Sequence, residues 1–109
     1  MPTIYKVLGQ VNPSATTNTT LYTVPVSNST VVSTLTVCNQ ASTTANFRVA
    51  VRPAGEVIAS KHYLNYDTQI PANDQLALTL GITLAATDVV TVYANTATMS
   101  FNLFGTEMY

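Results

Sequence analysis

The chain has 109 residues, of which only 8% are charged, and it contains a single His and a single Cys. A chain of this length forms one domain, and its formal net charge of −1, with four scattered basic residues, argues against nucleic acid or an anionic membrane surface as a partner. Hydrophobic residues make up 47% of the chain and supply a core, so Thr, Ser and Asn must hydrate the surface that Lys and Glu usually cover.

The first residues, MPTIYK, lack the basic segment and apolar core of a secretory signal. No stretch of the chain approaches the roughly 20 apolar residues of a membrane-spanning helix. We therefore expect the protein to remain in the compartment where it is made, with no membrane partner. The lone Cys38 cannot form an internal disulfide, so packing and assembly must supply the stability.

Short runs in which apolar and polar residues alternate follow one another along the chain, as is typical of β-strands with one buried face. In chain order, we predict strands over residues 3–8, 20–24, 31–38, 46–52, 61–66, 75–80, 89–94 and 98–103. Segments rich in Pro, Asn, Gly and Ser separate them as turns. Residues 11–20 form either an extended arm or a long connection between the first two strands.

No segment carries a sustained helical period, although residues 57–60 or 85–88 could form a single helical turn. The pattern predicts an all-β fold: a single antiparallel β-sandwich, jelly-roll or immunoglobulin-like, of about eight short strands, with a small barrel as the alternative. The sandwich domain spans residues 1–109, and Met1 to Tyr5 form a possible N-terminal arm.

Alternation also assigns faces to the strands. Arg48 and Arg52 lie on the polar face of their strand, where they either pair with acidic groups of a partner or form a solvated face. The residues expected to face the core are Val31, Leu35, Val37, Phe47, Val49, Val51, Leu76, Leu78, Leu80, Met99, Phe101 and Leu103.

The sequence contains few groups suited to catalysis. His62 is the one possible His base, but Ser60 and Asp67, at neighbouring positions of a strand, are not spaced to complete a triad with it. The five carboxylates are scattered and the four glycines stand alone, so neither a metal site nor a phosphate loop is predicted. Cys38 is expected to pack in or beside a sheet. We predict no enzyme, no catalytic residue, no metal and no cofactor.

Residues suited to contact with another protein occur near both ends and in the middle of the chain. In residues 61–66, one strand face carries His62, Leu64 and Tyr66 and the other carries Lys61, Tyr63 and Asn65. Either one ring packs in the core and one caps a sheet edge, or this segment contacts a neighbouring subunit. The C-terminal Met and Tyr likewise lie on the domain or contact a neighbouring subunit. The predicted partner interface consists of Ile4, Tyr5, Arg48, Arg52, Lys61, His62, Tyr63 and Tyr109.

Three groups of segments together carry a family resemblance: TLYTVP (20–25), VVSTLTVCN with ANFRVAVRP (31–39 and 45–53), and LGITLAATDVVTVYA with SFNLFG (80–94 and 100–105). In these segments the chain resembles small virion structural proteins of tailed bacteriophages, and the similarity extends over residues 4–107. The resemblance implies an all-β domain that is present in many copies and has no enzymatic activity. It assigns no functional residue.

The resemblance does not fix the position of such a protein in the particle. Because many identical copies on a symmetric particle gain avidity, the first hypothesis is a capsid cement, or decoration, protein that bridges capsid subunits. Its expected partners are the major capsid protein or other virion proteins, and further copies of itself in a homo-oligomer. Its expected location is the outer surface of the phage particle, after synthesis in the host cytoplasm. The alternative is a subunit of the tail, baseplate or a fibre, and a less favoured variant of that alternative binds host glycans.

Overall fold

The alternating runs form eight β-strands in a computed structural model that describes residues 2–109. Two single turns of 3-10 helix, Pro53–Gly55 and Ser60–His62, lie between the fourth and fifth strands. The strands are β1 (Thr3–Val11), β2 (Thr19–Thr23), β3 (Ser29–Asn39), β4 (Ala45–Arg52), β5 (Tyr63–Ile70), β6 (Gln75–Leu84), β7 (Val89–Ala94) and β8 (Met99–Met108).

The strands pair in two four-stranded antiparallel sheets. Sheet A has the order β1-β8-β3-β6, and sheet B has the order β2-β7-β4-β5. Every connection except that between β4 and β5 crosses from one sheet to the other. This order is that of a jelly roll, because an immunoglobulin sandwich groups its strands differently. The predicted antiparallel β-sandwich of about eight strands is therefore confirmed, and its topology is the jelly-roll one.

The core lies between the sheets and is built from the inward side chains of both. The rings of Phe47 on β4 and Phe101 on β8 meet edge to face across the core, with 6.1 Å between their centroids, and both are fully buried. Strands β3, β4, β7 and β8 occupy the centres of their sheets and supply most of the buried residues, as expected for strands that are covered on both edges.

The assignment of faces is correct except where a strand carries a bulge. An irregularity at Ser33 separates the register of Val32 from that of Thr34, so Val32 is buried in the core while Val31 is only half-buried. The prediction that Val31 shares a face with Leu35 is therefore wrong, because one extra residue reverses the alternation. The predicted orientation of Leu80 lies outside what the structure describes.

The structure bears on three further expectations. The N-terminal segment is no free arm from Thr3 onward, because Thr3, Ile4 and Tyr5 pair in β1 with the end of β8; Met1 lies outside the described residues. Residues 12–18 connect β1 to β2. Helical turns form at Pro53–Gly55 and Ser60–His62 in place of 57–60, and residues 85–88 form a hydrogen-bonded turn.

A polar cluster joins the two sheets at one end of the core. Glu107 of β8 is buried and accepts a hydrogen bond from the hydroxyl of Tyr22 on β2, while Lys6 of β1 pairs with its other oxygen at 3.1 Å. Because the Tyr22 proton goes to the carboxylate, Thr30 must donate to the Tyr22 oxygen, 2.8 Å away. Burial and the hydrogen bond to Glu107 raise the pKa of Tyr22 to about 12, and the same bond lowers the pKa of Glu107.

Replacing Glu107 by Gln is expected to lower the free energy of unfolding by about 2 kcal/mol at neutral pH, because charge-assisted hydrogen bonds become neutral ones. The folded state lowers the pKa of Glu107 below its ordinary value of 4.5. The carboxylate therefore stabilises the fold above that value, and this contribution is lost as the pH falls through the lower, folded-state pKa. Urea unfolding of both proteins over this pH range should show their stabilities converging in acid; a constant difference would contradict the prediction.

Candidate interaction surfaces

The outer side of sheet A is a continuous surface without charge, which we call the sheet A face. Strand register places its side chains in rows across β1, β8, β3 and β6, since paired residues point to the same side of a sheet. One row runs Tyr5, Thr106, Val31, Thr83, and the next runs Val7, Phe104, Thr34, Thr79. A third row, Gln10, Asn102, Thr36, Ala77, lies beyond them. Among the described residues, none of these positions carries a charged side chain.

The few charges of the chain lie elsewhere. Lys6 and Glu107 meet on the inner side of sheet A. Asp74 and Asp88 occupy turns between strands, where the Asp88 carboxylate accepts hydrogen bonds from the main-chain N–H groups of Ala54 and Ala85. The remaining charged residues belong to sheet B and the loop that covers part of it: Arg48, Arg52, Glu56, Lys61 and Asp67. The sheet A face is thus uncharged for two reasons: the chain has few charged residues, and those it has lie on other surfaces.

The outer side of sheet B carries a second, different surface, which depends on a bulge in β5. Phe47 pairs with Thr68 and Val49 pairs with Asn65, so Arg48 alone stands opposite two residues, Tyr66 and Asp67. Asp67 takes a left-handed backbone conformation, with φ of 54°, which Asp tolerates better than most residues. The bulge brings an aromatic ring and a carboxylate to the same arginine.

Arg48 is held on three sides within the chain. Its Nε and Nη2 atoms donate to the two carboxylate oxygens of Asp67 at 2.7 and 3.3 Å. Its guanidinium carbon lies 4.1 Å from the ring centroid of Tyr66 and 4.2 Å from that of Tyr93, within cation–π range. The hydrogen bond to Asp67 is the main cause of the raised pKa of Arg48. We call Arg48, Tyr66, Asp67 and Tyr93 the arginine cluster.

The loop over residues 53–62 folds onto the rest of the outer side of sheet B. Ala50 and Thr91 face outward by register, yet both are buried, and the loop contacts β4 and β7. Arg52 donates to the hydroxyl of Thr91 and to the carbonyl oxygen of Glu56. These contacts fix the loop to the sheet and place it beside the arginine cluster.

His62 fixes the shape of this loop. Its Nδ1 accepts a hydrogen bond from the Ala59 N–H at 3.0 Å, so the ring proton is on Nε2, which donates to Glu56 at 3.1 Å. The side chain is only 3% exposed. The predicted partner role of His62 is therefore corrected: the residue is buried, and with both ring nitrogens engaged it is not oriented as a base toward Ser60. Asp67 binds Arg48 instead.

An open groove lies between the loop and β5. Its volume is about 590 Å³, and its lining residues are Ile58, Ala59, Ser60, Tyr63 and Tyr66. The two tyrosine rings meet edge to face with 4.9 Å between centroids. The prediction that Tyr63 and Tyr66 lie on opposite faces is wrong, because β5 also has a register shift between the partners of Val49 and Ala50.

The eight predicted interface residues fall into separate places. Ile4 and Tyr5 lie on edge strand β1 and Tyr109 follows β8; Tyr5 is the most exposed, at 84%. Arg48 and Tyr63 lie on the outer side of sheet B, near the exposed Lys61, whose ammonium is 3.6 Å from Glu56. Arg52 lies farther along β4. The attachment role of Arg48 and Arg52 stays a prediction, and both already have partners within the chain.

Sequence reasoning missed Tyr66, Asp67 and Tyr93 as partners of Arg48. Tyr93 lies directly opposite Arg48 in the β4–β7 register, which a sequence pattern does not reveal before the strand order is known. Asp67 directly follows the predicted strand, but the two-residue bulge carries no distinctive sequence signal.

No family model matches the chain, and no curated protein is significantly similar to it. Within residues 2–109, no helix is long and apolar enough to cross a membrane. In the same part of the chain, no three His, Cys, Asp or Glu side chains stand together as metal ligands.

Proposed function

We propose that this protein is a non-enzymatic structural protein of a tailed-phage virion, and that it decorates the capsid by bridging neighbouring capsid subunits on the outer surface of the particle. Its partners are the major capsid protein and further copies of itself. The proposal rests on the resemblance of the segments described above and on one structural observation, the uncharged sheet A face.

The chemistry of the sheet A face supports attachment to protein. Burying a charged side chain in an interface costs several kcal/mol unless it is paired, whereas hydroxyl and amide groups need only a hydrogen-bond partner. Tyr5, Val7 and Phe104 add apolar surface at one end of the face, where a contact would be strongest. Jelly-roll domains are also common in viral capsids. This analogy concerns the fold, and a shared fold does not by itself assign a function.

The size of the face favours attachment in many copies. Four strands spaced by about 4.8 Å, with a rise of about 3.4 Å per residue, give a face of roughly 600 Å². A stable pairwise interface uses about 800 Å² on each partner. One copy would therefore attach weakly, and simultaneous contacts made by a homo-oligomer would raise its occupancy through avidity.

The first test is to locate the protein by cryo-electron microscopy of complete virions and of tail-free heads. Density in icosahedral register on the heads, with the sheet A face against the capsid, is the expected result. Density confined to the tail, baseplate or fibres would reject the decoration role and identify a tail subunit, and absence of the protein from purified particles would reject both.

A single charge at the centre of the apolar end of the face should weaken attachment. Thr106 lies between Tyr5 and Val31, so Thr106→Lys places an ammonium group where the partner would bury it. We expect the apparent affinity for heads lacking the protein to fall at least about tenfold. Quantitative co-sedimentation of the protein with these heads measures the apparent affinity.

The matched control is Thr20→Lys, because Thr20 is exposed on β2 of the other sheet and faces outward opposite Thr91. Both variants should retain the β-sheet circular dichroism of the parent. Equal binding by Thr106→Lys and Thr20→Lys would show that the sheet A face is not the attachment surface.

A further inference from the structure

We propose that the groove between the 58–60 segment and β5 binds a neutral pyranose unit of an oligosaccharide. The groove is open to solvent and holds about 590 Å³, a size within the range of small-molecule sites. Its lining combines the rings of Tyr63 and Tyr66 with one hydroxyl side chain, Ser60.

The chemistry of the lining selects the class of ligand. A pyranose ring has an apolar C–H face and a rim of hydroxyl groups, so it stacks on an aromatic face while its rim forms hydrogen bonds. The tyrosine rings supply the aromatic face for stacking, and their phenol groups and the Ser60 hydroxyl supply hydrogen bonds to the rim. A lining of two aliphatic side chains, two tyrosines and one serine matches an amphipathic ligand better than a purely apolar one.

The charges around the groove argue for a neutral ligand. Arg48 is paired with Asp67 at 2.7 Å, and Lys61 lies 3.6 Å from Glu56. None of the residues lining the groove is itself charged. A ligand carboxylate or phosphate would have to compete with an existing intrachain partner for either cation, so an acidic sugar gains little over a neutral one.

The site is also held in place before any ligand arrives. The Arg48 guanidinium stacks on Tyr66, and Tyr63 meets Tyr66 edge to face. On the other wall, the hydrogen bond from the Ala59 N–H to buried His62 fixes the backbone next to Ser60. Because both sides of the groove are already ordered, binding a ligand costs little free energy for immobilising the side chains of the groove.

The groove opens on the side of the sandwich opposite the sheet A face. If the proposed function holds, attachment through sheet A would leave the groove directed away from the particle, toward a host surface rich in glycans. Binding itself does not depend on that role, because it is a property of the isolated domain. A failure of one proposal is therefore distinguishable from a failure of the other.

The test uses the isotopically labelled isolated protein and a panel of methyl pyranosides (glucoside, galactoside and mannoside), with binding followed by amide chemical-shift changes. At least one glycoside should shift the amides of residues 58–66 with a Kd of about 1–10 mM. Tyr66→Ala should weaken that binding at least tenfold, whereas Tyr66→Phe, which keeps the ring, should retain it within a factor of about three.

The matched control is Tyr5→Ala, which removes an even more exposed ring from the opposite side of the molecule and should leave the Kd unchanged. The proposal is overturned by the absence of shifts with all three glycosides up to their solubility, or by shifts that persist unchanged in Tyr66→Ala. It is also overturned if a proline-rich peptide or a glycoside bearing a carboxylate binds the groove while the neutral glycosides do not.

Discussion

Gly105→Ala is expected to be among the most damaging single-methyl changes in this protein. A Cβ atom at position 105 would stand 2.2 Å from the carbonyl oxygen of Val31 and 3.0 Å from the Cα of Val32. Both atoms belong to the backbone of β3, next to the bulge at Ser33, so no side-chain rotation relieves the clash. We expect a loss of about 3 kcal/mol or more, seen as a melting temperature lower by about 12 °C or more.

Gly81→Ala is the matched control. Gly81 has a φ of +59° and no atom within 4 Å of the added Cβ, so its substitution costs only the backbone strain of a left-handed residue, about 1 kcal/mol. Gly105 has the close contact without the positive φ. Urea unfolding of the two variants separates the two effects. Equal losses would show that β3 shifts freely at Ser33 and that the close approach of β3 and β8 is not required.

The fold was predictable because its strongest signals are local. The alternation around Phe47 and Val49 on β4 and around Phe101 and Leu103 on β8 identifies half-buried strands directly from the order of side chains. The order of the strands within the sheets was not predictable in this way, because it depends on pairings between distant segments such as β1 and β8. The jelly-roll and immunoglobulin alternatives were left open for that reason.

The errors at residue level share one physical cause. Strand alternation has a period of two, so each bulge reverses the faces of all residues beyond it. Ser33 does this in β3, and the irregularities around Leu64 and Tyr66 do it in β5. In β8 the only irregularities belong to its partner strands, and its assigned faces are correct along Met99, Phe101 and Leu103.

The two candidate surfaces differ in how far the sequence revealed them. The scarcity of charge predicts a surface suited to protein contact, but composition does not show that the remaining charges avoid one face. That segregation follows from register: Lys6 pairs with Gly105 on the inner side of sheet A, and Arg48 belongs to sheet B. The groove depends on a bulge, a loop and a buried histidine together, and no short motif encodes such a combination.

Asn39 is the polar residue on which the largest number of loop contacts depends. It ends β3 and is fully buried. Its amide nitrogen lies 2.9, 3.1 and 3.2 Å from the carbonyl oxygens of Thr43, Ile70 and Pro71, and its amide oxygen accepts from the N–H of Ala41 at 3.0 Å. One side chain thus satisfies the backbone of both connections that meet at this end of the sandwich.

Asn39→Asp keeps the shape of this side chain and reverses its hydrogen bonding. A carboxylate would face three carbonyl oxygens with no proton to donate, in a site that water does not reach. We expect the free energy of unfolding to fall by about 3–5 kcal/mol at neutral pH, as for other unpaired buried charges. Chemical unfolding followed by far-UV circular dichroism measures the loss.

The pH dependence distinguishes a buried charge from simple loss of a hydrogen bond. Burial raises the pKa of the introduced carboxyl group in the folded state, so the variant should be least destabilised in acid and lose stability as the pH rises above the unfolded-state value of about 3.9. This is the opposite sign to Glu107, whose contribution is lost in acid.

Asn102→Asp is the control: Asn102 lies on the sheet A face, and its side-chain oxygen already accepts a hydrogen bond from Gln10. The free energy of unfolding of Asn102→Asp should stay within about 0.5 kcal/mol of the parent value. An equally small or equally large change in both variants would mean that Asn39 does not hold the two connections together.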